Sequence, residues 1–152
     1  MSSRVNELVS ARRNLEGKVS IHLELNNRTI KSPYIPAIQA PRMLCRMIGT
    51  QMQRLVNQRK RQVDMGYTSE NIHRLQKAFR HLEFALASKE RWNCRYLKQV
   101  LNALLPHLQT IAPKRGKYAP TWLAFLAGLE LIIEEEDIQA KINQIVAEHG
   151  HR

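Results

Sequence analysis

Apolar positions change their spacing several times along the chain, and each change marks an element. Residues 3–16 place Val5, Leu8, Val9 and Leu15 on one side of a helical projection, with Ser2 and Ser3 as caps and Gly17 as a stop. A first helix is expected there. Over residues 18–25, Val19, Ile21, Leu23 and Leu25 alternate with Lys18, Ser20, His22 and Glu24, the two-residue period of a half-buried strand. Asn26-Asn27 then turns the chain into a short return strand at 28–31. The competing reading is one helix running on through residue 25. An isolated hairpin is marginal in water, so this one must pack on helices or pair with a partner chain. Three prolines make residues 32–41 an extended connector.

From Pro41 the spacing becomes helical. Leu44, Met47, Ile48, Met52, Leu55, Val56 and Val63 recur at about 100° per residue, predicting a long helix over 41–65 that ends before Gly66. Ile72, Leu75, Phe79, Leu82 and Leu86 predict a second over 69–87, capped by Thr68 or Ser69. After a corner at 87–93, Tyr96, Leu97, Val100, Leu101, Leu104, Leu105 and Leu108 predict a third from about residue 94, which Pro106 should kink or break. Residues 113–120 form a loop by composition. Residues 122–133 are apolar nearly all round and read as a central buried helix. After the acidic run 134–137, Ile138, Ile142, Ile145 and Val146 mark a last amphipathic helix. The expected fold is all-α: a compact bundle of about five to six helices, with room for one small β-hairpin near residues 18–31. The whole chain reads as one domain, with an N-terminal helix, hairpin and connector (1–40) and a helical core (41–152).

Charge changes this picture from a bundle to a bundle with a basic face. The chain has 24 Lys+Arg against 13 Asp+Glu, a net charge of +11. Residues 1–119 hold 22 basic and 7 acidic side chains, or +15, whereas residues 120–152 hold 2 and 6, or −4. Such a field attracts polyanions, and the split predicts that the acidic stretch faces the core or a basic neighbour. Within the 41–65 helix, Arg42, Arg46 and Lys60 project within about one-ninth of a turn of each other, with Arg54 on the flank and Arg61 beside them. Asp64 is the acid that opposes them. A row of cations along a rod is suited to following a phosphate backbone and releasing its counterions. The bland alternative is the solvated face of an ordinary helix, but solvated faces usually mix both signs.

Two further groups extend the candidate surface. On the next helix, His73, Lys77 and Arg80 lie opposite the apolar stripe with Phe84 among them, an arrangement that stacks a base while its neighbours hold phosphates; Arg74 is a further candidate on the same helix. Alternatively, Phe84 packs against another helix. The loop cations Lys114, Arg115 and Lys117 with Tyr118 read as a phosphate clamp or as a soluble loop.

Chemistry is sparse. There is no Gly-rich phosphate loop, HExxH pair or paired-cysteine metal set, so no catalytic residue, metal or cofactor is expected. Cys45 and Cys94 read as small buried or half-buried hydrophobes of a reducing compartment, and His149 and His151 as part of an unstructured end. No run reaches the roughly 18 apolar residues of a membrane span, and no signal core is recognisable, so a cytoplasmic location is expected.

Three resemblances bear on function. Residues 65–75 resemble the turn and recognition-helix start of a helix-turn-helix, with Gly66 at the turn and Ile72 and Leu75 as anchors. That likeness implies a dimeric, sequence-specific regulator using Ser69, Asn71, His73 and Arg74 in the major groove. It departs at Gln62, where a small residue is usual. Arg74 and His81 resemble the Arg–His pattern of the helical HEPN ribonucleases, departing at Leu75, where a polar residue is usual. In size, helicity and charge the chain resembles the small helical subunits of CRISPR effector complexes. The reading drawn from the residues is a non-enzymatic protein that holds RNA or DNA by its backbone. It expects a larger protein partner or self-association, docked through the acidic tail or the 18–25 strand. A protein–protein adaptor whose positive face meets an acidic protein is the remaining possibility.

Overall fold

A computed structural model describes residues 4–66, 71–88 and 92–148. Its first surprise is at the N-terminus. In place of a helix over 3–16 there is a single 3-10 turn, Arg4–Glu7, followed by strand β1, Val9–Arg13. Val9 and Ala11 point inwards and Ser10 and Arg12 outwards, so five residues suffice to satisfy the two-residue period. Leu15, the last apolar position of the expected helix, is wholly exposed. Gly17 is a turn residue and not a helix stop. It adopts φ +81° inside a loop that the Asn14 side chain closes by accepting the Glu16 and Lys18 amides.

The hairpin expected at 18–31 is present as β2, Val19–Leu25, and β3, Arg28–Lys31. Asn26 and Asn27 have φ of 54° and 61°, the left-handed pair that the tightest hairpin turn demands. β1 adds to the other edge of β2, aligning Val9 with Leu23 and Ala11 with Ile21 in an antiparallel sheet of order β1-β2-β3. β2 is therefore the central strand, paired on both sides, and is not available as a docking edge. The connector remains tied to it: Val19 and Ile35 exchange both backbone hydrogen bonds at 2.8 Å. Buried Ser32 accepts the Ile21 amide, while Ser20 donates to the Ser32 carbonyl.

Five helices follow: α1, Ala40–Asp64; α2, Ile72–Ala87; α3, Leu97–Ile111; α4, Ala119–Glu134; and α5, Ile138–Glu148. The chain is thus mostly helical with a small three-stranded sheet, one strand more than the expected hairpin. Pro41 occupies the first turn of α1, where its missing N–H is harmless. Pro106 neither breaks nor ends α3. The carbonyl it deprives belongs to Asn102, and both residues are exposed, so the missing bond falls on the solvent side of the helix. α4 is less buried than its composition implies. Trp122, Phe125, Gly128, Leu129 and Ile132 face inwards, but Leu123 is 72% exposed. α5 buries Ile138, Ile142, Ile145 and Val146, the four positions its spacing singled out.

The buried apolar residues, from Val5 to Val146, form one continuous cluster. α1 runs through its middle, touching β2, α2, α3 and α5. Leu44, Cys45, Ile48, Met52 and Val56 are fully buried along it. With so many neighbours on one side, α1 has a single narrow strip left for solvent.

Candidate nucleic-acid interface

That strip is built by the helical repeat. Arg42, Arg46, Thr50, Gln53, Arg54, Asn57, Arg61 and Asp64 are the exposed residues of α1. They fall within about one-third of a turn on the projection. At 1.5 Å rise per residue, the arginines stretch over about 28 Å from Arg42 to Arg61. Among the described residues the ion pairs are Arg4–Glu7, Lys18–Glu16 and Lys60–Glu83. None of Arg42, Arg46, Arg54 or Arg61 is engaged in one. Thr50, Gln53 and Asn57 supply further hydrogen-bonding groups between them.

Lys60 does not belong with these residues. Its ammonium is bound to Glu83 of α2, which raises its pKa. The sequence spacing put Lys60 in line with Arg42, but the crossing of α2 covers that end of the line and brings a second acid beside Asp64.

On α2 the structure gathers Lys77, Arg80, His81 and Phe84 around one cleft of about 320 Å³. Phe84 is 73% exposed, so it does not pack against another helix. The His81 ring stacks on His107 of α3, with centroids 4.6 Å apart and planes 14° from parallel. Burial lowers the His107 pKa, and the neighbouring His81 and Lys77 lower it further. His73 and Arg74 are exposed in the first turn of α2, away from the residues that line this cleft. His81 thus has an imidazole as its close partner, and Arg74 does not share its cleft.

Around the helix-turn-helix likeness, Gly66 has a turn conformation with φ +79°. Ile72, expected as a core anchor, is 42% exposed, while Leu75 is buried. Asn71 precedes α2 in a left-handed conformation and provides no side-chain cap. Thr68 and Ser69, the expected caps, lie outside the described residues, as do His149 and His151.

The 113–118 loop presents Lys114, Arg115 and Lys117 to solvent. Tyr118 is half-buried against the core, and the Lys117 ammonium sits 5.3 Å from its ring centroid. One face of that ring is therefore already taken by a cation. The loop's position is set by a residue that sequence reasoning passed over, Arg59. This side chain is 5% exposed, and its Nε–H donates to the Ile111 carbonyl at 2.6 Å, with Nη1 3.3 Å from Gln62 Oε1. Burial lowers the Arg59 pKa. A guanidinium held on the last turn of α3 meets the negative end of that helix and fixes where the chain leaves it. The signal was present in the sequence: Arg59 falls inside the apolar stripe, between Met52, Leu55 and Val63.

The acidic stretch lies near cations without an ion pair to them among the described residues. Glu135, Glu136 and Asp137 share a cleft with Arg95 and Lys98. Asp137 also caps α5 by accepting the Ala140 amide at 3.0 Å. Among the described residues no helix is long and apolar enough to cross a membrane. Comparison with protein-family models, curated protein sequences and solved structures finds no match.

Proposed function

We propose that this chain is a non-catalytic nucleic-acid-binding protein that lays the outer face of α1 along a phosphate backbone, acting as a small accessory subunit of a larger nucleoprotein assembly. The observation that carries this reading is the α1 strip itself. Four arginines free of ion pairs among the described residues, interleaved with polar side chains and with Asp64 the one acid on the strip itself, leave a positive line about 28 Å long on a rigid rod. Arginine presents a planar fork to phosphate oxygens and is weakly hydrated, so it gives up little on contact. Binding of this kind is indifferent to sequence and steeply dependent on salt. The cleft around Phe84 adds a second element. An exposed ring beside Lys77 and Arg80 stacks an unpaired base while the cations hold its phosphates, which favours single strands.

Fluorescence anisotropy with labelled single-stranded RNA, single-stranded DNA and duplex DNA over a salt series tests the reading. The wild type is expected to lose affinity linearly in log–log form. Each phosphate that a cation neutralises adds roughly 0.7–0.9 to the slope, so replacing Arg42, Arg46, Arg54 and Arg61 together by alanine is expected to flatten it by about three. Phe84→Ala is expected to weaken single-strand binding by about tenfold and leave the slope unchanged. Absence of binding to all three polymers at low salt, or a quadruple variant that binds like the wild type, would overturn it.

A further inference from the structure

Cys45 and Cys94 are 49 positions apart in the chain, yet their sulfurs are 3.3 Å from each other. Both are free thiols. Their meeting is built into the way the turn before α3 rests on α1. Gly49 lies one helical turn beyond Cys45 on the same face, and a Cβ there would stand 3.1 Å from the Trp92 indole. Trp92 therefore seats on Gly49 and Cys94 on Cys45, two adjacent points of support. Asn93 closes the turn by accepting the Tyr96 and Leu97 amides with its carbonyl and the Tyr96 amide again with its side chain. The two sulfurs are held in contact by this framework, and closing to a bonded pair needs an approach of about 1.3 Å.

The two thiols differ in access. Cys45 is fully buried on α1. Cys94 is half-buried and lines a cleft of about 380 Å³ with Arg95, Lys98, Asn102, Glu135 and Asp137. They also differ in acidity. The hydrogen bond from Cys45 lowers the Cys94 pKa against the opposing effects of burial and Asp137. The same hydrogen bond, with burial, pushes Cys45 up. A reagent arriving by the cleft meets the more acidic sulfur first, with the second directly behind it.

We infer that Cys45 and Cys94 form an oxidisable dithiol, which a low-molecular-weight disulfide such as glutathione disulfide converts into an intramolecular bond tying the 92–96 turn to α1. The Cys94 thiolate attacks one sulfur of the reagent, forming a mixed disulfide and expelling one thiolate. Cys45 then gives up its proton and attacks the Cys94 sulfur, expelling the second. Two protein thiols are oxidised by two electrons, one reagent disulfide is reduced to two thiols, and those thiols carry away the two protons. This inference stands independently of nucleic-acid binding.

The test equilibrates the reduced full-length chain in glutathione buffers of increasing oxidised fraction. Samples are then quenched in acid, alkylated and read by intact-mass and peptide mass spectrometry. The expected result is that both alkylation sites vanish together, leaving a protein two hydrogens lighter and free of glutathione. Cys45→Ser is expected to trap glutathione on Cys94, and Cys94→Ser to leave Cys45 unreactive until the fold is denatured. A wild type that keeps both thiols in oxidised glutathione, or that accumulates an unresolved adduct on Cys94, would overturn the inference. The wild-type reading decides this even if either serine variant fails to fold.

Discussion

Arg59 offers the sharpest test of how the loop and helix ends are held. Its guanidinium is buried, forms no ion pair among the described residues, and donates at 2.6 Å to the last-turn carbonyl of α3. Arg59→Met keeps most of the apolar stem and removes the donors. A hydrogen bond from a charged group is worth about 1.5–3 kcal/mol, and its loss leaves the Ile111 carbonyl buried without a partner. The favourable field of a cation at a helix C-terminus adds about 0.3–1 kcal/mol. Against this stands relief from desolvating a guanidinium, the cause of its lowered pKa. The hydrogen bond is short and the helix end supplies a matching partial charge, so the loss is expected to win by about 2 kcal/mol. That corresponds to a fall in Tm of about 4–8 °C for a chain of this size. Arg59→Lys, which keeps the charge but not the fork, is expected to fall in between. Urea unfolding followed by far-ultraviolet circular dichroism measures both, with unchanged m-values confirming that only stability has moved. An Arg59→Met protein as stable as the wild type, or more so, would mean that desolvation exceeds the bond, and the account of Arg59 as the anchor of α3 would be wrong.

Two further perturbations probe packing and protonation. The lowered His107 pKa means that the unfolded chain takes up a proton that the folded chain resists, so stability is full above the ordinary value of 6.5 and falls as pH drops below it. Thermal melts between about pH 8 and 5 should show this loss in the wild type and a shallower one in His107→Gln; parallel curves would exclude the His81–His107 stack as a contributor. Gly128→Ala places a Cβ 2.5 Å from Cδ1 of the buried Leu25, whose side chain must then turn aside within the core. It is expected to cost about 1–3 kcal/mol in denaturant unfolding, and markedly less in a Leu25→Ala background. Equal costs in both backgrounds would refute the proposed clash.

What could be read from the sequence was whatever a single local period decides. α1, α5 and the β2–β3 hairpin follow from spacing, and Asn26-Asn27 marks its own turn. β1 did not, because Val9 and Ala11 fit a helix about as well as a strand until β2 offers an edge to pair with. The Asn14–Gly17 turn was the overlooked clue. α4 misled in the other direction: an apolar composition says that a helix wants burial, but not that the bundle has enough surface to give it. Of the candidate site, Arg42, Arg46, Arg54 and Arg61 needed only helical geometry. The pairing of Lys60 with Glu83, the exposure of Phe84 and the meeting of Cys45 with Cys94 depend on how elements cross, and no window along the chain contains that information.

The sheet has a consequence for how the molecule is made. Its inner face, carrying Val9, Ala11, Ile21, Leu23 and Leu25, is covered by α1, α4 and α5, and β1 itself lies against α5. α1 follows soon after β3, but more than a hundred residues separate β1 from α4 and α5. At ribosomal rates of roughly 5–20 residues per second, the strands wait on the order of ten seconds before α4 and α5 complete their cover. During that interval the apolar face of the sheet has α1 alone as cover, while the α2–α3 hairpin, whose contacts are local, is already free to form. The sheet is therefore completed from both sides of the sequence, and β1, though made before every α-helix that packs on it, is among the last elements to find its place.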